Sequence, residues 1–252
     1  MKYFERKKKI IEFLNSSNGV GSIDNICKKL YVSKSTLRRD LINLEEEGII
    51  TRYHGGVSIV SNSSSENSIT KRRMENTDKK LIIAKLAKGL IKDNMVIFLD
   101  SSSTVSYLVP YLRAFNNITV ITNGLNVASQ LNTAQNTRCY ICPGSLKNKS
   151  LSIVGEYTYT FIDNFRADIV FFSSKSIREN GIFEGDDSQA LCKKNMIKNS
   201  VKRVFLCDNT KEKASGYFKL ADYIEINTVV TNASFSETIM DTIKSSGCDI
   251  IF

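Results

Sequence analysis

From Thr77 to the C-terminus, short apolar runs of strand length alternate with amphipathic stretches of helix length. The runs are Met95–Leu99, Ile118–Thr122, Cys139–Cys142, Asp168–Phe172, Arg203–Cys207, Val229–Thr231 and Cys248–Phe252. Helices are predicted from about Asp78 to Ile91, after Thr104, from Leu125, and over Glu156–Phe165, Ser188–Asn199 and Ser236–Ser245. Such runs are buried on both faces, and an intervening helix returns each strand in the same direction. The pattern therefore demands a mostly parallel sheet covered by helices on both sides.

The first sixty residues follow a different rule. Tyr3/Phe4, Ile10/Ile11 and Leu14 form an apolar stripe on an opening helix that stops at the breakers Ser16-Ser17-Asn18-Gly19. Ser22 suits the N-cap of a second helix, with Asp24 in its first turn and Ile26 and Leu30 facing inward. Tyr31-Val32 makes a short turn, and Ser33 caps a third helix that runs to about Glu47 and ends at Gly48. Ile49–Tyr53 and Val57–Val60 flank His54-Gly55-Gly56, a hairpin signal. Helix, helix-turn-helix and hairpin is the order of a winged helix. The polar stretch Ser61–Ser68 reads as a linker. The expected division is a winged helix-turn-helix over 1–60, a linker over 61–70 and an α/β domain over 71–252, in an α/β protein overall.

In the third helix, at about 100° per residue, Leu37, Leu41 and Leu44 share a narrow arc that must pack inward. Ser35, Arg38 and Arg39 then face outward, with Lys34 and Thr36 on the flanks. Arginine reads guanine edges, and hydroxyls and lysine hold phosphates, so Ser33, Lys34, Ser35, Thr36, Arg38 and Arg39 are candidates for DNA contact. A solvated basic face satisfies the same residues; the preceding turn and following hairpin favour DNA. Arg52 and His54 in the wing are candidates for backbone contact, although ordinary hairpin polarity also accounts for them. The net charge of +9 fits an anionic partner. It is enriched in the first 61 residues, which carry 11 Lys/Arg against 7 Asp/Glu, without being confined to them.

Composition removes other classes. No apolar run approaches the roughly 20 residues of a membrane helix, and the N-terminus has no signal-peptide core, so the chain reads as cytoplasmic. The six cysteines are scattered. Cys139 and Cys142 form a C-x-x-C, but no second pair follows, and a continuous strand would turn the two thiols to opposite faces. Neither a metal ligand set nor a cofactor is assigned. The chain has one histidine, in the wing, which excludes a Ser-His-Asp triad. No catalytic residue is assigned.

Ligands of open parallel sheets bind beyond the carboxyl ends of the strands. Asp100-Ser101-Ser102-Ser103-Thr104 lies at such an end, and its hydroxyls and amides suit a phosphate or, equally, an ordinary capping loop. Thr122 and Asn123 end the next strand. Asp208 and Lys211 follow a later one, the lysine serving as a cation or merely being solvated.

Ser33–Leu41 (S-K-S-T-L-R-R-D-L), then Leu44–Gly48 (L-E-E-E-G), then Arg52–Gly56 (R-Y-H-G-G), resembles the DNA-binding signature of the DeoR family of bacterial regulators. Asp78-Lys79-Lys80, Phe98-Leu99-Asp100, Val120-Ile121-Thr122-Asn123 and Leu206–Lys211 continue the likeness in that family's order. The resemblance implies a sensor domain similar to ribose-5-phosphate isomerase and sugar-phosphate deaminases, and a phosphorylated sugar as effector. The family's D-x-G-T-T loop matches Asp100, Ser102, Ser103 and Thr104, and its D-x-S-K motif matches Asp208 to Lys211. Departures are Tyr31 in the turn, where a small residue is usual, Ser102 in place of a glycine, Pro143-Gly144 in place of two glycines, and Ser173-Ser174 without one. The function implied is a homo-oligomeric, DNA-binding repressor of sugar metabolism genes, released from its operator by a sugar phosphate. The alternatives are a regulator with a degenerate effector site and a sugar-phosphate isomerase or deaminase. Against the enzyme, Ser173-Ser174-Lys175-Ser176 lacks the acidic residues of the isomerases, and Glu179 and Glu184 fall outside their pattern.

Overall fold

Ile10 and Leu14, one helical turn apart and fully buried, seat α1 (Tyr3–Ser16) on the apolar centre of the N-terminal unit. The computed structural model describes residues 3–17, 19–47, 49–53, 55–59, 69–132, 134 and 136–252. These form two compact units, Met1–Glu75 and Asn76–Phe252.

After α1 the first unit contains β1 (Val20–Ser22), α2 (Ile23–Leu30), α3 (Lys34–Glu46), β2 (Ile50–Tyr53), β3 (Gly56–Ile59) and α4 (Ile69–Met74). Ser22 caps α2 by accepting from Asn25 N at 3.2 Å, and Ser33 caps α3 by accepting from Thr36 N at 3.2 Å, both as expected from sequence. The wing has a third strand: β1 pairs antiparallel with β3, which pairs antiparallel with β2. Three residues, one of them Gly21, are too short to announce a strand. Phe4 belongs to the expected inward stripe but is 76% exposed. It lies six positions before Ile10, about 120° round the helix from it. The predicted boundary also shifts. Residues 61–68 lie outside the described residues, while Ile69 is buried and Tyr53 Oη donates to Met74 Sδ at 3.1 Å. The helix Ile69–Met74 therefore closes the first unit instead of straddling a linker and the second.

The second unit opens with α5 (Thr77–Ala87), β4 (Val96–Leu99), α6 (Ser103–Ser106), β5 (Ile118–Thr122), α7 (Leu125–Leu131) and β6 (Thr137–Ile141). A hairpin of β7 (Ser145–Lys147) and β8 (Ser152–Val154) precedes α8 (Glu156–Asp163) and β9 (Ala167–Phe172). Then come β10 (Ser176–Arg178), β11 (Gly181–Glu184), α9 (Asp187–Lys198), β12 (Ser200–Leu206), β13 (Phe218–Ala221), β14 (Thr228–Val230), α10 (Glu237–Ser245) and β15 (Asp249–Ile251). Seven strands make one sheet in the order β15-β14-β12-β9-β4-β5-β6, all parallel. The seven apolar runs of the sequence are these seven strands. Successive side chains go to opposite faces: Phe98, Val170 and Phe205 pack into one cluster, and Ile97, Leu99, Phe171 and Val204 into the other.

The sequence did not announce the hairpin β7–β8 or the small sheet β10-β11-β13. Their strands of three or four residues mix polar with apolar residues. The helix expected after Thr104 is also reduced, to the single turn Ser103–Ser106 and a 3-10 segment Val109–Ala114. Pro110, at the head of that segment, lacks the N–H that an α-helix would use.

Candidate functional site

Leu37, Leu41 and Leu44 are fully buried in the first unit, so α3 turns its opposite face outward. Ser33, Lys34, Ser35, Arg38 and Arg39 are exposed and Thr36 is half-buried. Asp40, on the buried side, takes a bidentate pair from Arg6, Nε to Oδ2 at 2.6 Å and Nη2 to Oδ1 at 2.8 Å. That clamp fixes the roll of α3 against α1. Arg38 and Arg39 form no hydrogen bond or ion pair with any described residue, so both guanidinium groups stand available to an external anion. The flanking candidates are engaged. Lys34 pairs with Asp24 at 2.7 Å, which raises the lysine pKa and lowers that of the acid, first through the hydrogen bond and then through charge. Ser33 Oγ lies 2.9 Å from Ser35 Oγ and 2.8 Å from Thr36 Oγ1. Arg52 is held by Glu45 through its backbone amide at 2.8 Å and its Nε at 2.7 Å, and these bonds lower the Glu45 pKa in that order. His54 lies outside the described residues.

In the large sheet, the chain moves outward from β4 to β5 and β6, then returns to the other side of β4 for β9, β12, β14 and β15. The order reverses between β4 and β9, and a crevice opens at the carboxyl ends of strands at such a point. Leu99 pairs with Thr122 on one side and Phe171 on the other, so the residues following these strands form one rim. Asp100, Ser173, Asn123 and Asp208 are all buried there.

Asp100 organises that rim. Its Oδ1 accepts from Ser102 N at 2.8 Å and its Oδ2 from Ser173 N at 3.0 Å. Lys193 Nζ is 3.3 Å from the same Oδ2, forms a closer pair with Glu184, and donates to Ser173 O at 2.8 Å. Ser102 is extended at φ −71, ψ 150, and caps α6 through Val105 N. A side chain is accommodated there without strain, so the missing glycine of the loop does not distort it. Glycine is needed elsewhere: a Cβ on Gly124 would come within 2.8 Å of Ser101 Cα, so the β5–α7 loop packs on the β4–α6 loop only without one.

Of the other predicted effector residues, Asp208 accepts from Thr210 N at 3.2 Å and from its hydroxyl, and this cap directs the turn that carries Lys211. Lys211 Nζ contacts Ser173 Oγ and, at 3.5 Å, Thr104 Oγ1. It forms no ion pair among the described residues. Ser103 is buried beside Thr104 in α6. Thr122 Oγ1 accepts from Gly124 N at 3.0 Å. Asn123 donates from Nδ2 to Ile153 O at 3.0 Å, while its buried Oδ1 has no hydrogen-bond partner among the described residues. The structure thus joins Asp100 and Lys211 through Ser173, and Thr104 through Lys211, with Thr122 and Asn123 on the adjoining strand end.

Four members of this network were not singled out as effector residues from sequence: Ser173, Glu184, Gln189 and Lys193. Gln189 links Ser101 and Ser152, each at 3.0 Å. A signal did exist. Gln189, Lys193, Met196 and Ile197 share the buried face of α9, so two polar residues occupy core positions of a helix.

Cys139 packs in one core cluster and Cys142 in the other, so the two thiols face opposite sides of the sheet as the strand geometry required. Burial pushes the Cys142 pKa up to about 12. Among the described residues, no helix is long and apolar enough to cross a membrane.

A winged helix with two unengaged outward arginines, followed by a doubly wound domain with a cluster of buried polar residues at its switch point, defines a two-part DNA-binding transcriptional regulator. Residues 6–63 match the DeoR-like helix-turn-helix domain and residues 75–233 the DeoR C terminal sensor domain. The chain is 30% identical over 248 residues to the HTH-type transcriptional regulator GolR of Listeria innocua, covering 98% of this chain and 97% of that protein. It is 28% identical over 244 residues to the glycerol-3-phosphate regulon repressor of Escherichia coli, covering 96% of each. It belongs to the DeoR family. Among solved structures, a ribose 5-phosphate isomerase from Methanocaldococcus jannaschii covers 54% of this chain and 55% of its own at a TM-score of 0.41 and 20% identity.

Proposed function

We propose that this regulator is a cytoplasmic, homo-oligomeric repressor that reads its operator through α3 and leaves it when a phosphorylated sugar enters the crevice at Asp100. Lys211 carries the effector half of this reading. It is a cation at the switch point of a parallel sheet, partnered there by hydroxyls instead of a carboxylate, and a phosphate supplies the missing charge. The buried Asn123 Oδ1 lacks a donor, which a sugar hydroxyl provides. Ser102, Ser103, Thr104, Thr122 and Asp208 line or shape the same rim. That one relative is named for a glycerol-3-phosphate regulon supports a phosphorylated polyol or sugar as the ligand class.

The DNA half rests on Arg38 and Arg39 reading base edges in the major groove, with Ser33, Lys34, Ser35 and Thr36 on phosphates. Arg52 and His54 belong to the wing contact. Because Lys34 and Arg52 are paired with Asp24 and Glu45, their contribution to DNA requires partial exchange of those partners.

Release demands that the effector bind the DNA-free state more tightly, by about 1–3 kcal/mol of coupling. The chain is proposed not to be an enzyme. Asp100 has both oxygens occupied by amides, and Glu184 is occupied by Lys193 and, at 2.9 Å, by Gly185 N, so neither is placed as a free base. A thermal-shift series with sugar and polyol phosphates tests the effector claim. Ligand at a hundredfold excess over Kd adds about 2.7 kcal/mol, and this gain should shrink in Lys211→Ala. Absence of any shift at millimolar concentrations favours the degenerate-site alternative.

A further inference from the structure

Tyr31 closes α2 in a conformation that penalises any residue with a Cβ. Its backbone lies at φ 55, ψ 47, and its N–H donates to Cys27 O as the helix cap. In that left-handed region the Cβ crowds the following carbonyl, which is why glycine, asparagine and aspartate are preferred there. Packing does not compensate. Tyr31 is 94% exposed, and its hydroxyl has no hydrogen-bond partner among the described residues. A strained aromatic residue that contributes nothing to the core points to a contact outside the chain.

Its neighbours indicate the partner. Lys28 and Lys29, both exposed, form the last turn of α2. Ser33, the cap of α3, follows two residues later, placing its Cα within about 7 Å of that of Tyr31. Exposed Ser35, Arg38 and Arg39 continue the surface along α3. Tyr31 thus lies between cationic side chains at the end of the helix that enters the groove, where the phosphate backbone borders it. We infer that Tyr31 is a further DNA-binding residue whose phenolic hydroxyl donates a hydrogen bond to a backbone phosphate beside the groove read by α3. The inference rests on the α3 reading of DNA, and a neutral donor to a phosphate makes a charge-assisted bond.

The test uses the full chain and a short duplex recovered from a random pool by the wild-type protein, with anisotropy titrations at several salt concentrations. Tyr31→Phe, which keeps the ring and loses the donor, should raise Kd about fivefold. Tyr31→Asn, which also relieves the backbone, should raise Kd about tenfold while Tm rises by about 2 °C. Neither should alter the salt dependence, because the phenol carries no charge. Arg38→Ala should weaken binding and reduce the salt slope by about one if that arginine meets a phosphate, or relax base preference if it reads an edge. Wild-type affinity in Tyr31→Phe with weakened Arg38→Ala overturns the tyrosine contact alone. Wild-type affinity in both overturns the α3 reading beneath it.

Discussion

The two candidate sites of this regulator are built in opposite ways. On α3, three buried leucines and the Arg6–Asp40 clamp hold the helix, while Arg38 and Arg39 have no partner among the described residues. At the carboxyl ends of the sheet strands, the candidate ligand-binding groups are buried, except half-buried Lys211, and are tied into a hydrogen-bonded network with Ser173 and Lys193. On the proposed function, recognition at the first site is separated from folding, whereas at the second the same hydrogen bonds serve both. A substitution on α3 should therefore change affinity without stability, and one in the crevice should change both.

The largest expected effect lies in the crevice. Lys193→Met removes the ammonium that faces both Asp100 and Glu184 and leaves two buried carboxylates uncompensated. The expected loss is about 3–5 kcal/mol, measured by denaturant unfolding of the full chain. A loss below about 1 kcal/mol would mean that the crevice is wet and the contrast with α3 false.

Arg38→Ala supplies the other half of the comparison. DNA affinity should fall by about 1–3 kcal/mol, while unfolding stability stays within about 0.5 kcal/mol of the wild type. A comparable fall in stability would show that the arginine helps to hold the helix.

Asp186 sharpens the contrast through pH. Burial raises its pKa, but bonds from Lys147, Ser188 Oγ and Gln189 N outweigh that, and the net shift is downward. A depressed carboxylate stabilises the fold above its unfolded value of about 3.9 and loses that contribution as pH falls through the folded value. Asp186→Ala should cost about 1 kcal/mol at neutral pH, mostly as a lost α9 cap. The gap from wild type should close below about pH 4 in parallel acid titrations. A gap that persists in acid would assign the effect to packing.

The smallest effect belongs to the wing. Glu45→Gln should leave stability within about 0.5 kcal/mol, because both side chains of the Arg52 pair are more than a third exposed. Freeing Arg52 and removing an anion should tighten DNA binding about two- to threefold, with a steeper salt dependence. Weaker binding instead would show that Glu45 positions Arg52 for its contact.

Where local pattern carried the information, the sequence by itself determined the structure. The seven apolar runs became the seven parallel strands. The spacing of Leu37, Leu41 and Leu44 placed Arg38 and Arg39 outward, and Ser22 and Ser33 were legible as caps. These features depend on neighbours within one or two helical turns, or on strand periodicity. Tertiary structure decided what no local pattern encodes: the strand order that puts the β4 and β9 ends side by side, and the pairing of β1 with β3. It also decided the network in which Lys193, 93 positions from Asp100 in the chain, becomes that residue's counterion. Lys193 and Gln189 stand on the same face of α9 as Met196 and Ile197, which hints at burial, but only the packing of α9 decided which partners they meet, because burial is set by what covers a side chain and not by its own chemistry.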